Sequence, residues 1–302
     1  MKKLKFTLLL AVLFLCSFHM SQAKDLVFGQ ITSASQPDAA TVWFEKMSKY
    51  LSKHLDLNEF GYSGVSGKIT NGMDEMVALI KNKEVDLVAE SAVSTLILHD
   101  KAGTTPILDL WKSGLREYNT VFFTLKESPI QSIKDLNGKL IALEYGRSTS
   151  AFVMPMGELN AQGYKVALVK EGEEDSRPKQ GIGYIKVGHS INQAHWVFQK
   201  KADFAAFGSH DWKDLPEGLR SKMRIFHEGP MVPRFIISAQ SGLPKKAIDK
   251  INDAFVKMDQ DDDGKAALKS FAKATKVEIL TVKDLEQIEK IRPSLKFADT
   301  KD

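Results

Sequence analysis

The chain has 302 residues, 43% of them apolar and 26% charged, with 42 lysine and arginine residues against 38 acids. That length suits two lobes better than one core, and the interspersed signs leave no basic footprint of the kind that binds nucleic acid. The single cysteine, Cys16, excludes an internal disulfide.

The first segment decides the expected compartment. Lys2, Lys3 and Lys5 precede an apolar run from Phe6 to Cys16, and Ser21-Gln22-Ala23 places small residues where a signal peptidase reads. Residues 1–23 therefore read as a cleaved signal peptide, too short and wrongly flanked for a spanning helix. Their removal takes away three lysines and no acid, leaving 39 basic groups against 38 acidic ones. A periplasmic protein is expected. An alternative is lipidation at Cys16 in "LFLC" (13–16), which the bulky Leu15 opposes.

After Ala23, strand-like and helix-like stretches alternate. "DLVFGQI" (25–31) is β-rich, and residues 40–55 place Phe44, Met47, Tyr50 and Leu51 at helical spacing behind Pro37. A weaker strand (60–65) and an amphipathic helix (72–84) follow. "VDLVAE" (85–90) is a buried strand leading into a helix (91–103), then come strands at 105–111 and 119–125. A second cycle begins with a short helix (132–138) and the strand "KLIALEY" (139–145). It continues with a helix (151–163), a strand (166–171), a polar Gly- and Pro-bearing loop (171–183), a helix (191–202) and strands at 203–209 and 224–229. A strand at 234–240 and helices at 244–258, 264–275 and 282–292 finish the chain.

Strands alternating with helices predict an α/β protein with mainly parallel sheets flanked by helices. Two cycles predict two lobes. Prolines beside β-runs mark "LKESPIQS" (125–132) and "EGPMVPR" (228–234) as hinges. The predicted division is 24–126 with 232–302 as lobe one and 127–231 as lobe two. A cleft joined by two connecting strands suits closure around a small ligand.

In open α/β sheets, ligands gather beyond the carboxyl ends of strands, at helix N-termini. Ser148, Thr149 and Ser150 stand at such a place, after "LIALEY" and before the next helix. Unpaired N–H groups of a first helical turn, with hydroxyls beside them, hold an oxyanion without a full positive charge. One hydroxyl would suffice as a cap, so three in a row point to an anion site. By the same rule Glu90 and Ser91 line the cleft from lobe one, with pairing of Glu90 to Arg147 as the structural alternative. Ser209 and Asp211 follow the strand "DFAAFGS", His189 precedes a helix of lobe two, and Tyr145 could wall the pocket, as could Trp212.

"LIALEYGRSTSAFVMPMGEL" resembles the signature stretch of the periplasmic phosphate/phosphite/phosphonate-binding proteins of ABC transporters, a branch of the type II periplasmic binding proteins. "NKEVDLVAESAVSTLIL", "YNTVFFTLKESPIQSIKDLNGKLIALE" and "FVKMDQDDDGKAALKSFAKA" resemble further parts of that family, in order. The resemblance implies that Ser148, Thr149 and Ser150 cradle a phosphorus oxyanion and that His189 stands where the family carries a polar contact. The chain also departs from the family. Tyr145-Gly146-Arg147 replaces an Asp-Pro-Gly, Ala151 replaces a glycine, and a pocket tyrosine would fall at Thr95.

No motif asks for a metal or cofactor, and Gly146 to Ser150 lack the glycine after the serine that a nucleophile elbow needs. The expectation is therefore a monomeric, non-enzymatic binding component of an ABC importer, delivering its oxyanion to an inner-membrane permease. The alternatives are a ligand-sensing module for a membrane sensor kinase and an exported phosphate-ester hydrolase.

Overall fold

The structure is a computed structural model that describes residues 24–32 and 37–299. The signal-peptide and Cys16 expectations lie outside the described residues. In chain order the first half runs β1 (Lys24–Ile31), α1 (Pro37–His54), β2 (Tyr62–Thr70), α2 (Met73–Lys81), β3 (Leu87–Glu90), α3 (Ala92–Ala102), β4 (Thr105–Leu110), β5 (Glu117–Tyr118), β6 (Thr120–Leu125) and β7 (Lys139–Leu143). It continues with α4 (Met154–Ala161), β8 (Val166–Leu168), β9 (Ile182–Lys186), α5 (Ser190–Phe198), β10 (Phe204–Gly208), α6 (Ser209–Asp214), α7 (Glu217–Arg220), β11 (Met223–Glu228) and β12 (Val232–Pro233). The last elements are β13 (Ile236–Ala239), α8 (Lys245–Val256), α9 (Asp262–Ser270), β14 (Val277–Ile279) and α10 (Val282–Glu289).

Two six-stranded sheets result, ordered β14-β4-β13-β3-β1-β2 and β11-β6-β10-β7-β9-β8. Most strands in each sheet run one way, but β13 and β14 are reversed in the first and β6 in the second. The reversals at β6 and β13 follow from the crossing between lobes. β5 and β12 pair antiparallel as a two-stranded ribbon, and each leads straight into a reversed strand.

The ribbon also places the lobe boundary. Residues 120–125, on the lobe-one side of the expected crossing near Lys126, form β6 and pair with β10 and β11 of the second sheet. The first crossing is therefore at β5, not at the proline stretch 125–132. Ser128 instead accepts at its carbonyl from Arg224 (3.2 Å), so that stretch is an ordinary loop within lobe two.

Burial explains the elements. In α1, Phe44, Met47, Tyr50 and Leu51 face inward, and Phe44 packs edge-on to Phe28 of β1 with ring centroids 5.6 Å apart. A second core runs through both lobes. It joins Val93 and Ile97 of α3 to Phe152 just before α4 and Met154 at its start, with Ile288 and Ile291 from the C-terminal segment. That segment bridges the lobes: Arg292 pairs with Asp100 at 2.6 Å, and the Asp299 N–H donates to the Gly146 carbonyl at 2.9 Å.

Candidate ligand-binding cleft

Strand direction brings one edge of each sheet to the cleft. On the lobe-one edge stand Glu90 at the end of β3, Lys112 just beyond β4, and Arg234 just before the reversed β13. On the lobe-two edge stand the loop after β7, the start of α5 after β9, and the start of α6 after β10.

The hydroxyl triplet opens a single π-helical turn, Thr149–Val153, rather than an α-helix. Pro155 supplies the reason. It has no N–H to offer the carbonyl of Ala151 four residues back, and that carbonyl instead accepts from the Glu144 N–H at 3.1 Å. The N–H groups of Phe152 and Val153 both converge on the Ser148 carbonyl. No side chain caps this turn. The hydroxyls are directed elsewhere.

Thr149, 3% exposed, reaches across to lobe one. Its Oγ1 accepts from the Val93 N–H at 3.2 Å and donates to Ser91 Oγ at 3.1 Å. Ser91 is the N-cap of α3 but makes no side-chain cap of its own, so a threonine of the other lobe satisfies a donor in the first turn of α3. The Ser148 hydroxyl bonds the Glu144 carboxylate, whose proton affinity is raised chiefly by burial. Ser150 accepts at its carbonyl from Thr120 Oγ1, 2.9 Å away, and its own hydroxyl lies beside Gly208 and His210.

Glu90 is buried and its Oε1 accepts from the Ile31 N–H at 2.8 Å, tying β3 to the end of β1. Burial raises its pKa; the Ile31 N–H, then Arg147, Lys112 and the Ser94 hydroxyl, oppose that shift. Asp211 is pushed up to about 6, again mainly by burial, with Arg234 and the Ser190 hydroxyl opposing. Ser209 holds the sheet edge: its Oγ accepts from the Asn119 N–H at 3.3 Å and its N–H donates to the Asn119 carbonyl at 2.9 Å.

His189 and Tyr145 stand at the rim. The His189 side chain is 86% exposed, with Nδ1 3.9 Å from Glu144, and Tyr145 is 55% exposed with its ring over Gly188. Trp212, partly buried, packs on Phe123 against the lobe-two core, 5.4 Å between rings.

The sequence reading expects neutral donors alone, yet three cations share this cleft. Arg147 and Arg234 each have a buried Nε without a hydrogen-bond partner. Arg234 lies 4.4 Å over the Tyr118 ring and donates from Nη2 to His210 Nε2 at 2.9 Å. Because a guanidinium can only donate, Nε2 accepts and the ring proton sits on Nδ1, which is buried and unpartnered. Burial, with Arg234 and Lys112 nearby, pushes His210 down to about 3, so it is a neutral donor beside Ser150. The Lys112 ammonium lies 4.4 Å over Phe235, and burial with Arg234 nearby pushes it down to about 8.

Lys112 was within reach of the carboxyl-end rule, since it follows a predicted strand. Arg234 was not, because it enters the cleft at the amino end of a reversed strand, and only the pairing of β13 shows that.

The profile of the family described as the periplasmic substrate-binding protein of phosphonate ABC transporters matches residues 28–285. The chain belongs to that family. Its members bind small ligands for an ABC permease in the periplasm and are not enzymes. Among solved structures, a Xanthomonas citri protein bound to ATP or to chloride ion is 24% or 25% identical, with a TM-score of 0.79 over 90% of this chain and 97% of its own. PhnD1 of Prochlorococcus marinus, in complex with methylphosphonate, is 20% identical, with a TM-score of 0.63 over 91% of this chain and 99% of its own. A binding component of a phosphonate transporter from Pseudomonas aeruginosa is 18% identical, with a TM-score of 0.60 over 91% and 87%. These likenesses give the type II periplasmic binding protein fold. No curated protein matched. Among the described residues, no helix of this binding protein is long and apolar enough to cross a membrane.

Proposed function

We propose that this binding protein captures a phosphorus oxyanion (phosphate, phosphite or a phosphonate) between its lobes and delivers it to an ABC permease, after export directed by residues 1–23. One observation carries the reading. The hydroxyl-bearing turn at Ser148–Ser150 and the N-terminus of α3 meet across the cleft through Thr149, Ser91 and the Val93 N–H. Two helix starts facing one another offer N–H and O–H donors to a single oxyanion from both lobes. Arg147, Lys112 and Arg234 add positive charge at the same place. The relatives' ligands support an anion: ATP and chloride in the Xanthomonas protein, methylphosphonate in the Prochlorococcus one.

The lobes close about the paired strands β5 and β12. The test is titration calorimetry of the exported form with phosphate, phosphite, methylphosphonate and 2-aminoethylphosphonate. Native mass spectrometry of freshly purified protein would weigh any retained ligand. Saturable binding of at least one is expected; no heat with any of them, and no phosphorus-containing adduct by mass, would remove the reading.

A further inference from the structure

We propose that Lys112 and Arg234 make the cleft select its ligand by charge, taking a doubly ionised phosphorus oxyanion over a singly charged oxyanion of the same shape. The proposal rests on the reading that the cleft binds a phosphorus oxyanion, and adds the residues that set which charge state is taken.

Structural cations in this protein are recognisable by their partners. Arg116 is surrounded by Asp109 (3.5 Å), Glu117 (3.2 Å), Glu278 (3.2 Å) and Asp284 (2.8 Å), and Arg177 is held by Asp203 at 2.6 Å. Lys112 and Arg234 differ. Among the described residues neither has a carboxylate within ion-pair distance, and each rests on an aromatic face instead. Their chain positions bring them to one sheet edge, since the Leu110 N–H donates to the Phe235 carbonyl at 2.8 Å.

Two cations drawn together without an ion pair repel one another, and an anion between them relieves that repulsion. The acids in the neighbourhood supply only part of it. Glu90 and Asp211 both act on Lys112, and Asp211 on Arg234, yet among the described residues neither comes within ion-pair distance of them; Glu90 accepts from the Ile31 N–H, and Asp211 bonds the Ser190 hydroxyl and lies 3.4 Å from His210 Nε2. Glu144, on the lobe-two loop, is occupied by the Ser148 hydroxyl. Arg147 adds a third positive charge facing Glu90, while burial, with Arg234 and Lys112 nearby, keeps His210 neutral. The hydroxyl triplet fits any tetrahedral oxyanion; Lys112 and Arg234 respond to how much charge it carries.

Methylphosphonate and methanesulfonate isolate this property, being near-isosteric and differing in whether a second charge is available. Calorimetry on the wild-type protein is expected to show methylphosphonate bound at least about 10-fold tighter, the scale of one hydrogen bond to a charged group. Lys112→Met, which keeps the stem over Phe235, and Arg234→Gln should each weaken both ligands but methylphosphonate more, cutting that preference about 10-fold. Arg234→Lys should restore part of it. Thermal melts of each variant check folding. Variants that melt like wild type and keep its preference overturn the charge-selection proposal alone. Wild-type protein that binds methanesulfonate as tightly as methylphosphonate overturns it without any variant. Failure to bind any phosphorus oxyanion removes the cleft reading, and this proposal with it.

Discussion

Thr149→Val asks whether the contact between lobes is part of ligand capture. Valine keeps the branched shape and removes the hydroxyl, so packing is little disturbed while two hydrogen bonds vanish. One is donated by the Val93 N–H (3.2 Å) and the other goes to Ser91 Oγ (3.1 Å). Both bonds cross from lobe two to lobe one, so they exist only when the lobes meet. Neutral hydrogen bonds contribute about 0.5–1.5 kcal/mol each, giving a loss of about 1–3 kcal/mol in the closed state. Because ligand binding is linked to closure, affinity should fall about 5- to 150-fold. Calorimetry with the best phosphorus ligand measures the loss, and small-angle scattering should show the ligand-induced decrease in radius of gyration becoming incomplete at equal ligand. A variant with wild-type affinity and wild-type compaction would refute the argument, leaving Thr149 a buried packing residue.

Gly208→Ala should weaken binding at least several-fold, because an added Cβ would sit 2.5 Å from the His210 ring and 3.0 Å from Ser150 Oγ; unchanged calorimetry would mean that His210 and Ser150 do not contact ligand. Glu90→Gln should relax discrimination against sulfate, since a carboxylate facing an oxyanion requires a proton between them and an amide can donate its own. An unchanged sulfate-to-phosphate ratio would return Glu90 to holding the Ile31 N–H. Burial pushes Asp109, fully buried, up to about 7, with Arg116 opposing, so the folded state binds its proton more tightly than the unfolded chain. Its contribution is therefore full below an unfolded pKa near 3.8 and is lost as pH rises through about 7, at most about 1.4 kcal/mol per unit in between. Thermal melts from acid to neutral pH should accordingly be flatter in Asp109→Asn than in wild type, and parallel curves would contradict that assignment.

Local chemistry carries much of this protein in its sequence. The alternation of short β-rich runs with amphipathic stretches determines the α/β character, because burying one face of a helix or both faces of a strand constrains residues close together in the chain. The hydroxyl triplet was legible for the same reason: a strand end, a turn and a helix start are contiguous in "LIALEYGRSTS". Pro155 could have announced the π-turn, yet where the freed Ala151 carbonyl would go depended on Glu144 coming back to meet it.

The rest was decided by pairings between distant segments. The crossing point moved from a proline-marked loop to β5 because β6 finds its partners in β10 and β11, about eighty and a hundred residues onward. Arg234 came beside Glu90 and Lys112 only because β13 runs opposite to β3 and β4, turning an amino end toward the same sheet edge. Lys112 and Arg234, far apart in the chain, acquire their unpaired positive charge from a shared location and from aromatic faces where carboxylates could have stood. Charge balance within a cleft is a sum over neighbours in space, and sequence order does not carry that sum. The hydroxyls proposed to hold an oxyanion were therefore readable in one line of residues, while the cations beside them came only with the tertiary structure.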